Sequence, residues 1–188
     1  MFKIKKFFPL LLSILAFIAL LIAQMSIHGT SSSAGKLNIG AEKAQAYEAK
    51  FGNLAFTTTK GTKLDFSKVS QPIVILNFWA SWCRPCLSEF ETLKKLVSKY
   101  GPEKVLVIGV NNDAENPKKA VKKVEKDLDL NFESMIDLDG SVAKDFFISE
   151  IPASIVFHKG KVVHFENREF DFMSKKFLGL IDQKLALE

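Results

Sequence analysis

Cysteine is nearly absent from this chain: two in 188 residues, Cys83 and Cys86. So few exclude the disulfide-dense scaffold that small secreted chains use in place of a core. They also supply only half of the four ligands that a structural zinc site takes. Histidine is equally sparse. His28 lies near the N-terminus, and His158 and His164 flank a Lys-Gly turn, where exposure is commoner than metal ligation, so no metal is expected. No acidic residue precedes Glu42, whereas Lys3, Lys5 and Lys6 fall in the first six positions. Beyond those lysines the formal net charge of +5 falls to 23 basic against 21 acidic residues. Without clustered excess charge there is no electrostatic case for nucleic acid. There is no internal repeat. Apolar residues make up 47% and charged residues 25%, near globular averages, which argues against a disordered or fibrous chain. The length suits one domain with a real core.

Long apolar runs are confined to the N-terminus. "LLLSILAFIALLIA", residues 10–23, is interrupted only by Ser13 and follows the basic "MFKIKKFF". Residues 1–27 therefore read as a signal peptide or an N-terminal membrane anchor. The 17 residues from Phe7 to Ala23 are at the lower limit for crossing a bilayer. No cysteine directly follows the run, which excludes a lipid-modified N-terminus. Either reading keeps the lysines inside and delivers the rest outside the cytoplasm. Residues 28–50 begin with "HGTSSSAGK" and are expected to be a linker, in which "AEKAQAYEAK" reads as a short helix or as more linker, and residues 51–188 a folded domain.

Within that domain, "LAFTTTKGTKLDF" predicts a hairpin turning at Lys60-Gly61. "PIVILNFW", 72–79, is continuously apolar and predicts a strand buried on both faces. A helix should follow from Arg84 to Tyr100, with Leu87, Phe90, Leu93, Leu96, Val97 and Tyr100 in one stripe. "KVLVIGVNN" predicts a second buried strand. A helix opening at Pro117 should turn Val121, Val124 and Leu128 inward, with Lys118, Lys119, Lys122, Lys123 and Lys126 on a solvated face. "FESMID" reads as a strand and "DGSVAKDFF" as a short helix. "PASIVFHKGKVVHFE" reads as a hairpin turning at Lys159-Gly160. "FDFMSKKFLGLIDQKLAL" should close the chain as one amphipathic helix. Alternating strands and helices predict an α/β domain: a partly parallel sheet covered on both faces.

Three readings compete for "FWASWCRPC". A structural disulfide between cysteines two residues apart would close almost no loop of the unfolded chain. A metal site lacks ligands. Redox chemistry has a mechanism at this spacing. Cys83 would sit where a buried strand meets a helix, and the unpaired N–H groups and dipole there favour a thiolate. Pro85 fits the first turn. Cys86, one turn on, can attack a mixed disulfide formed at Cys83 and release the product. On this reading Cys83 is exposed and Cys86 faces the core, and Arg84 between them is solvated. Trp79 should be core packing, while Trp82, beside the nucleophile, should cover the site and contact substrate.

"NFWASWCRPC" with the later "IP" resembles the thioredoxin superfamily. More narrowly it resembles the exported, often membrane-anchored TlpA/ResA-like thiol–disulfide oxidoreductases, which include cytochrome c maturation reductases. The resemblance runs from about Leu54 to the C-terminus. It implies a thioredoxin fold: a central mixed sheet with helices on both faces, an N-terminal hairpin, and an inserted helix and strand over residues 116–136. It makes Pro152 a cis-proline facing the cysteines, leaving the Ile151 backbone free to pair with substrate. Thioredoxin has a buried aspartate where this chain has Asn77, which cannot act as a base. Glu89, three residues after Cys86 as in that exported group, falls 60° from Cys86 on a helix wheel, at the border of the apolar stripe. Half-buried there, it should have a raised pKa and serve as the base. The implied activity is reduction of disulfides in exported proteins, with apocytochrome c as one substrate. It would be supplied by a membrane thiol–disulfide donor and use no cofactor beyond the Cys83–Cys86 pair. Oxidase or isomerase activity is the alternative within the enzyme class. A peptide-binding module without redox turnover is the alternative outside it.

Overall fold

The computed structural model describes residues 39–187. Its elements are α1 (Ala41–Phe51), β1 (Ala55–Thr57), β2 (Lys63–Asp65), β3 (Ile73–Trp79), α2 (Arg84–Tyr100) and β4 (Val105–Asn111). There follow α3 (Pro117–Asp127), β5 (Glu133–Ile136), α4 (Ser141–Asp145), β6 (Ala153–His158), β7 (Lys161–Glu166) and α5 (Lys175–Leu185). Strands β1 and β2 form the expected hairpin, and Gly61 takes the left-handed backbone its turn demands (φ +91°). The other five form one mixed sheet in the order β5-β4-β3-β6-β7. β3, β4 and β5 run parallel, and β6 and β7 are antiparallel additions. This is an α/β thioredoxin fold.

All seven residues of β3 are buried, Asn77 along with the six apolar ones. Strand alternation divides them. Ile73, Ile75 and Trp79 join a cluster with Phe90, Leu93 and Leu96 of α2 and Phe177 and Ile181 of α5. Val74, Leu76 and Phe78 join a second cluster on the other face with Tyr47 and Phe51 of α1. Asn77 belongs by the same alternation to the α2 side.

Three expectations change. The linker foreseen over 28–50 gives way at Ala41 to α1, because Ala44, Tyr47 and Phe51 form a buried face. Phe51 stacks on Phe157 at 4.2 Å, and Tyr47 meets Phe146 and Phe165 at 5.9 and 5.8 Å. In α3 only Val121 is fully buried. Leu128 lies beyond the helix and is exposed, while the five lysines face solvent. The closing helix starts at Lys175, not at Phe170. The N–H groups of Phe170 and Phe172 donate instead to the side chains of Glu89 (3.2 Å) and Thr92 (3.2 Å), and Phe172 is buried. Among the described residues no helix is long and apolar enough to cross a membrane, and the 1–27 segment lies outside them.

Candidate active site

β3 delivers the chain to a short loop, 80–83, and Cys83 caps α2. The Cys86 N–H donates to Cys83 Sγ at 3.3 Å, and the Leu87 N–H to the Cys83 carbonyl at 3.2 Å. The two sulfurs are bonded, with Cα atoms 5.3 Å apart. Cys86 is fully buried. Cys83 is buried too, only 5% exposed, contrary to the expectation of an exposed tip. Its sulfur turns inward to Cys86 and joins the cluster around Trp79 and Phe90. Trp79 is core, edge-on to Phe90 at 5.1 Å. Trp82, one residue before Cys83, is 71% exposed. Arg84 is solvated.

Glu89 sits one turn below Cys86 and is deeper than the helix wheel implied, 2% exposed. Asn77 Nδ2 donates to its Oε1 at 2.5 Å and the Phe170 N–H to its Oε2. Burial raises its pKa from 4.5 to about 7. The two donors pull it down, and the charges of Glu169 and Glu166 push it up. Asn77 Nδ2 also donates to Ser154 Oγ at 2.9 Å, while its own Oδ1 is buried without a partner. The asparagine thus holds the glutamate against β3 and ties both to β6.

The Ile151–Pro152 bond is cis. Ala153 pairs with Phe78, so Pro152 lies at the level where β3 ends and the cysteine loop begins. Ile151 precedes that ladder and packs against the cluster that contains both cysteines.

One buried group was not foreseen. Asp113, just past β4, accepts from the Ser81 N–H (3.1 and 3.2 Å), the Ser81 hydroxyl (3.1 Å) and Asn111 Nδ2 (2.9 Å). It pins the loop that carries Cys83. A strand ending in "NND" is the signal that could have found it, since buried polar side chains need partners. His158 and His164 are half-buried, not exposed. His164 packs on Phe170 and Phe177 at 5.0 and 5.5 Å, and burial lowers its pKa. Among the described residues no group of three or more His, Cys, Asp or Glu could hold a metal ion.

A disulfide between a cysteine at a helix cap and a second one turn on, above a buried carboxyl with a pKa near neutrality, can exchange with other thiols and disulfides and handle the proton involved. Residues 41–165 match the AhpC/TSA family. The thiol–disulfide oxidoreductase ResA of Bacillus cereus is 32% identical over 72% of this chain and 73% of its own length. The thioredoxin-like protein YneN of Bacillus subtilis is 30% identical over 72% of this chain and 76% of its own. A secreted Mycobacterium tuberculosis disulfide oxidoreductase superposes with a TM-score of 0.58 at 21% identity, over 77% of this chain and 99% of its own.

Proposed function

This chain belongs to the AhpC/TSA family and is a ResA-like thiol–disulfide oxidoreductase, and on that premise we propose that it reduces disulfides of exported proteins. Cys83 thiolate attacks one sulfur of a substrate disulfide. A Cys83–substrate bond forms, the substrate bond breaks, and the first substrate thiolate leaves. Cys86 gives its proton to Glu89, attacks Cys83 Sγ and expels the second thiolate. Two electrons have passed to the substrate, and the Cys83–Cys86 disulfide remains. A membrane dithiol donor reduces it again, and no other cofactor takes part. Trp82 and the backbone at Ile151–Pro152 receive the substrate segment.

The observation that carries this reading is the burial of Glu89 one turn below Cys86. A carboxyl there can take the proton near neutrality. Once ionised, it disfavours a second negative charge on Cys86. Low thiolate stability weakens the oxidised pair as an oxidant, because strong oxidants of this class owe their potential to a stabilised reduced form. The basic, apolar residues 1–27 and the secreted M. tuberculosis relative support a place outside the cytoplasm, with the N-terminal segment as tether. Apocytochrome c is a fitting substrate for an enzyme so placed. The deciding measurement is the redox potential against glutathione. A value of roughly −270 mV supports a reductase, and one of roughly −120 mV replaces it with an oxidase.

A further inference from the structure

The lysines of α3 fall into a pattern that the redox chemistry does not use. Lys118, Lys122 and Lys126 recur at every fourth position and share one stripe of the helix. They line an open cleft of about 830 Å³ between α3 and the β1–β2 hairpin, where Lys60 stands at the turn. Leu130 and Ile136 supply aliphatic surface in the same cleft. Neither cysteine lines it, nor do Asn77, Glu89 or Pro152, so it is separate from the redox site.

The walls of this cleft are tied together, and its charge is left unanswered. The Thr59 N–H donates to the Ser134 carbonyl of the edge strand β5 at 2.8 Å, and the Thr59 hydroxyl donates to Glu125 of α3 at 3.0 Å. Those bonds hold the hairpin turn against both elements. Glu125 also accepts from the Ser134 N–H at 3.2 Å. The one carboxylate in the lining is thus engaged by neutral donors and pairs with no lysine. Among the described residues none of the four lysines has an ion-pair partner, whereas Lys123, on a different stripe of α3, pairs with Asp127. Like charges four residues apart on a helix repel. A cleft lined by one sign concentrates the field and draws counter-ions into it.

We propose that the cleft between α3 and the β1–β2 hairpin binds a phosphate ester with an aliphatic body. The phosphate oxygens accept from the ammonium groups of Lys60 and of the α3 stripe, each acting as a point charge. The carbon portion lies on Leu130, Ile136 and the lysine stems. The volume is within the range of small-molecule sites, roughly 300–1,000 Å³. No aromatic side chain lines the cleft, so a nucleobase finds no ring to stack on, and the aliphatic surface selects an aliphatic ester. A phospholipid headgroup and a soluble phosphate ester offer this same chemistry, and the two are separated by experiment.

The test is the rate at which dilute acetic anhydride acylates each lysine of the full chain, read by mass spectrometry. Lys119 on α3 and Lys175 on α5, both exposed and outside the cleft, are the internal controls. With phosphatidylcholine vesicles present, butyl phosphate should slow acylation of Lys60 and Lys122 and spare the controls. Inorganic phosphate should need about tenfold more for the same protection, because it has no carbon to bury. Lys122→Gln should raise the half-protecting concentration of butyl phosphate at Lys60 by about fivefold, the upper end for one exposed ion pair. Lys122→Arg should restore it, and Lys119→Gln should leave it unchanged. Protection by phosphatidylglycerol vesicles with nothing added assigns the ester to the membrane, and protection by butyl phosphate alone assigns it to solution. Equal acylation of Lys60, Lys122 and the controls under every probe overturns the site, as does protection of Lys60 that Lys122→Gln leaves intact. Inorganic phosphate as effective as butyl phosphate overturns the aliphatic part of the ligand. The oxidoreductase reading stands apart from every one of these outcomes.

Discussion

Replacing Glu89 by glutamine keeps its shape and removes its proton. Burial holds the carboxyl at about 7 instead of 4.5. At about 1.4 kcal/mol for each tenfold in proton affinity, ionising it costs the folded protein roughly 3 kcal/mol. The folded value lies above the unfolded one, so the native state binds the proton more tightly. The stability linked to that proton is whole below pH 4.5, declines as pH rises, and is gone above about 7. Glutamine has nothing to ionise. Glu89→Gln should therefore match the wild type in acid and exceed it by up to roughly 3 kcal/mol at pH 8, read from denaturant midpoints. The hydrogen bonds can be remade: the Asn77 amide turns over and its unpartnered Oδ1 accepts from the new Nε2. Catalysis should move the other way. Resolution of the mixed disulfide should slow by up to about a hundredfold and lose its pH dependence near 7, while the first attack by Cys83 changes less. Parallel stability–pH curves, or equal rates for both half-reactions across pH, would refute the reasoning and leave Cys86 without a base.

Cys86→Ser should accumulate a covalent adduct between Cys83 and substrate on non-reducing gels, because attack survives and resolution does not. Cys83→Ser should accumulate none, and equal trapping by both would reverse the assignment. Gly109→Ala should cost about 1–3 kcal/mol in thermal unfolding, since the added Cβ would meet Ser134 Oγ and Trp79 Nε1, each at 2.7 Å. The full chain expressed in cells should keep its N-terminus and sediment with membranes, and a mature soluble chain starting near Gly35 would identify a cleaved signal instead.

What the sequence made legible was whatever rests on local period or local turn chemistry. The apolar run of β3, the stripe of α2 and the Lys159-Gly160 turn, both of whose residues take positive φ, were readable without any long-range information. The cysteine pair was readable because its spacing fixes its geometry on a helix. Contacts distant in sequence were not. Phe170 and Phe172 fit the helical period, yet side chains about 80 residues away take their N–H groups and unwind that turn. Asn77 looked like a lost carboxylate until Glu89 arrived from α2 to accept from it. The aromatic face of α1 is diluted by lysine and glutamate, so Tyr47 became evident only once β7 and α4 were there to cover it.

The two tryptophans give this protein an optical signal of its own. Trp79 is fully buried in the cluster that holds both sulfurs, and Trp82, three residues on, stands in water. The first emits to the blue and the second to the red. A disulfide quenches an indole packed near it far more than one in solvent, so reduction should brighten the blue component selectively. Each turnover is then visible without a label, and the emission ratio at a set glutathione poise reads the redox potential directly from the folded chain.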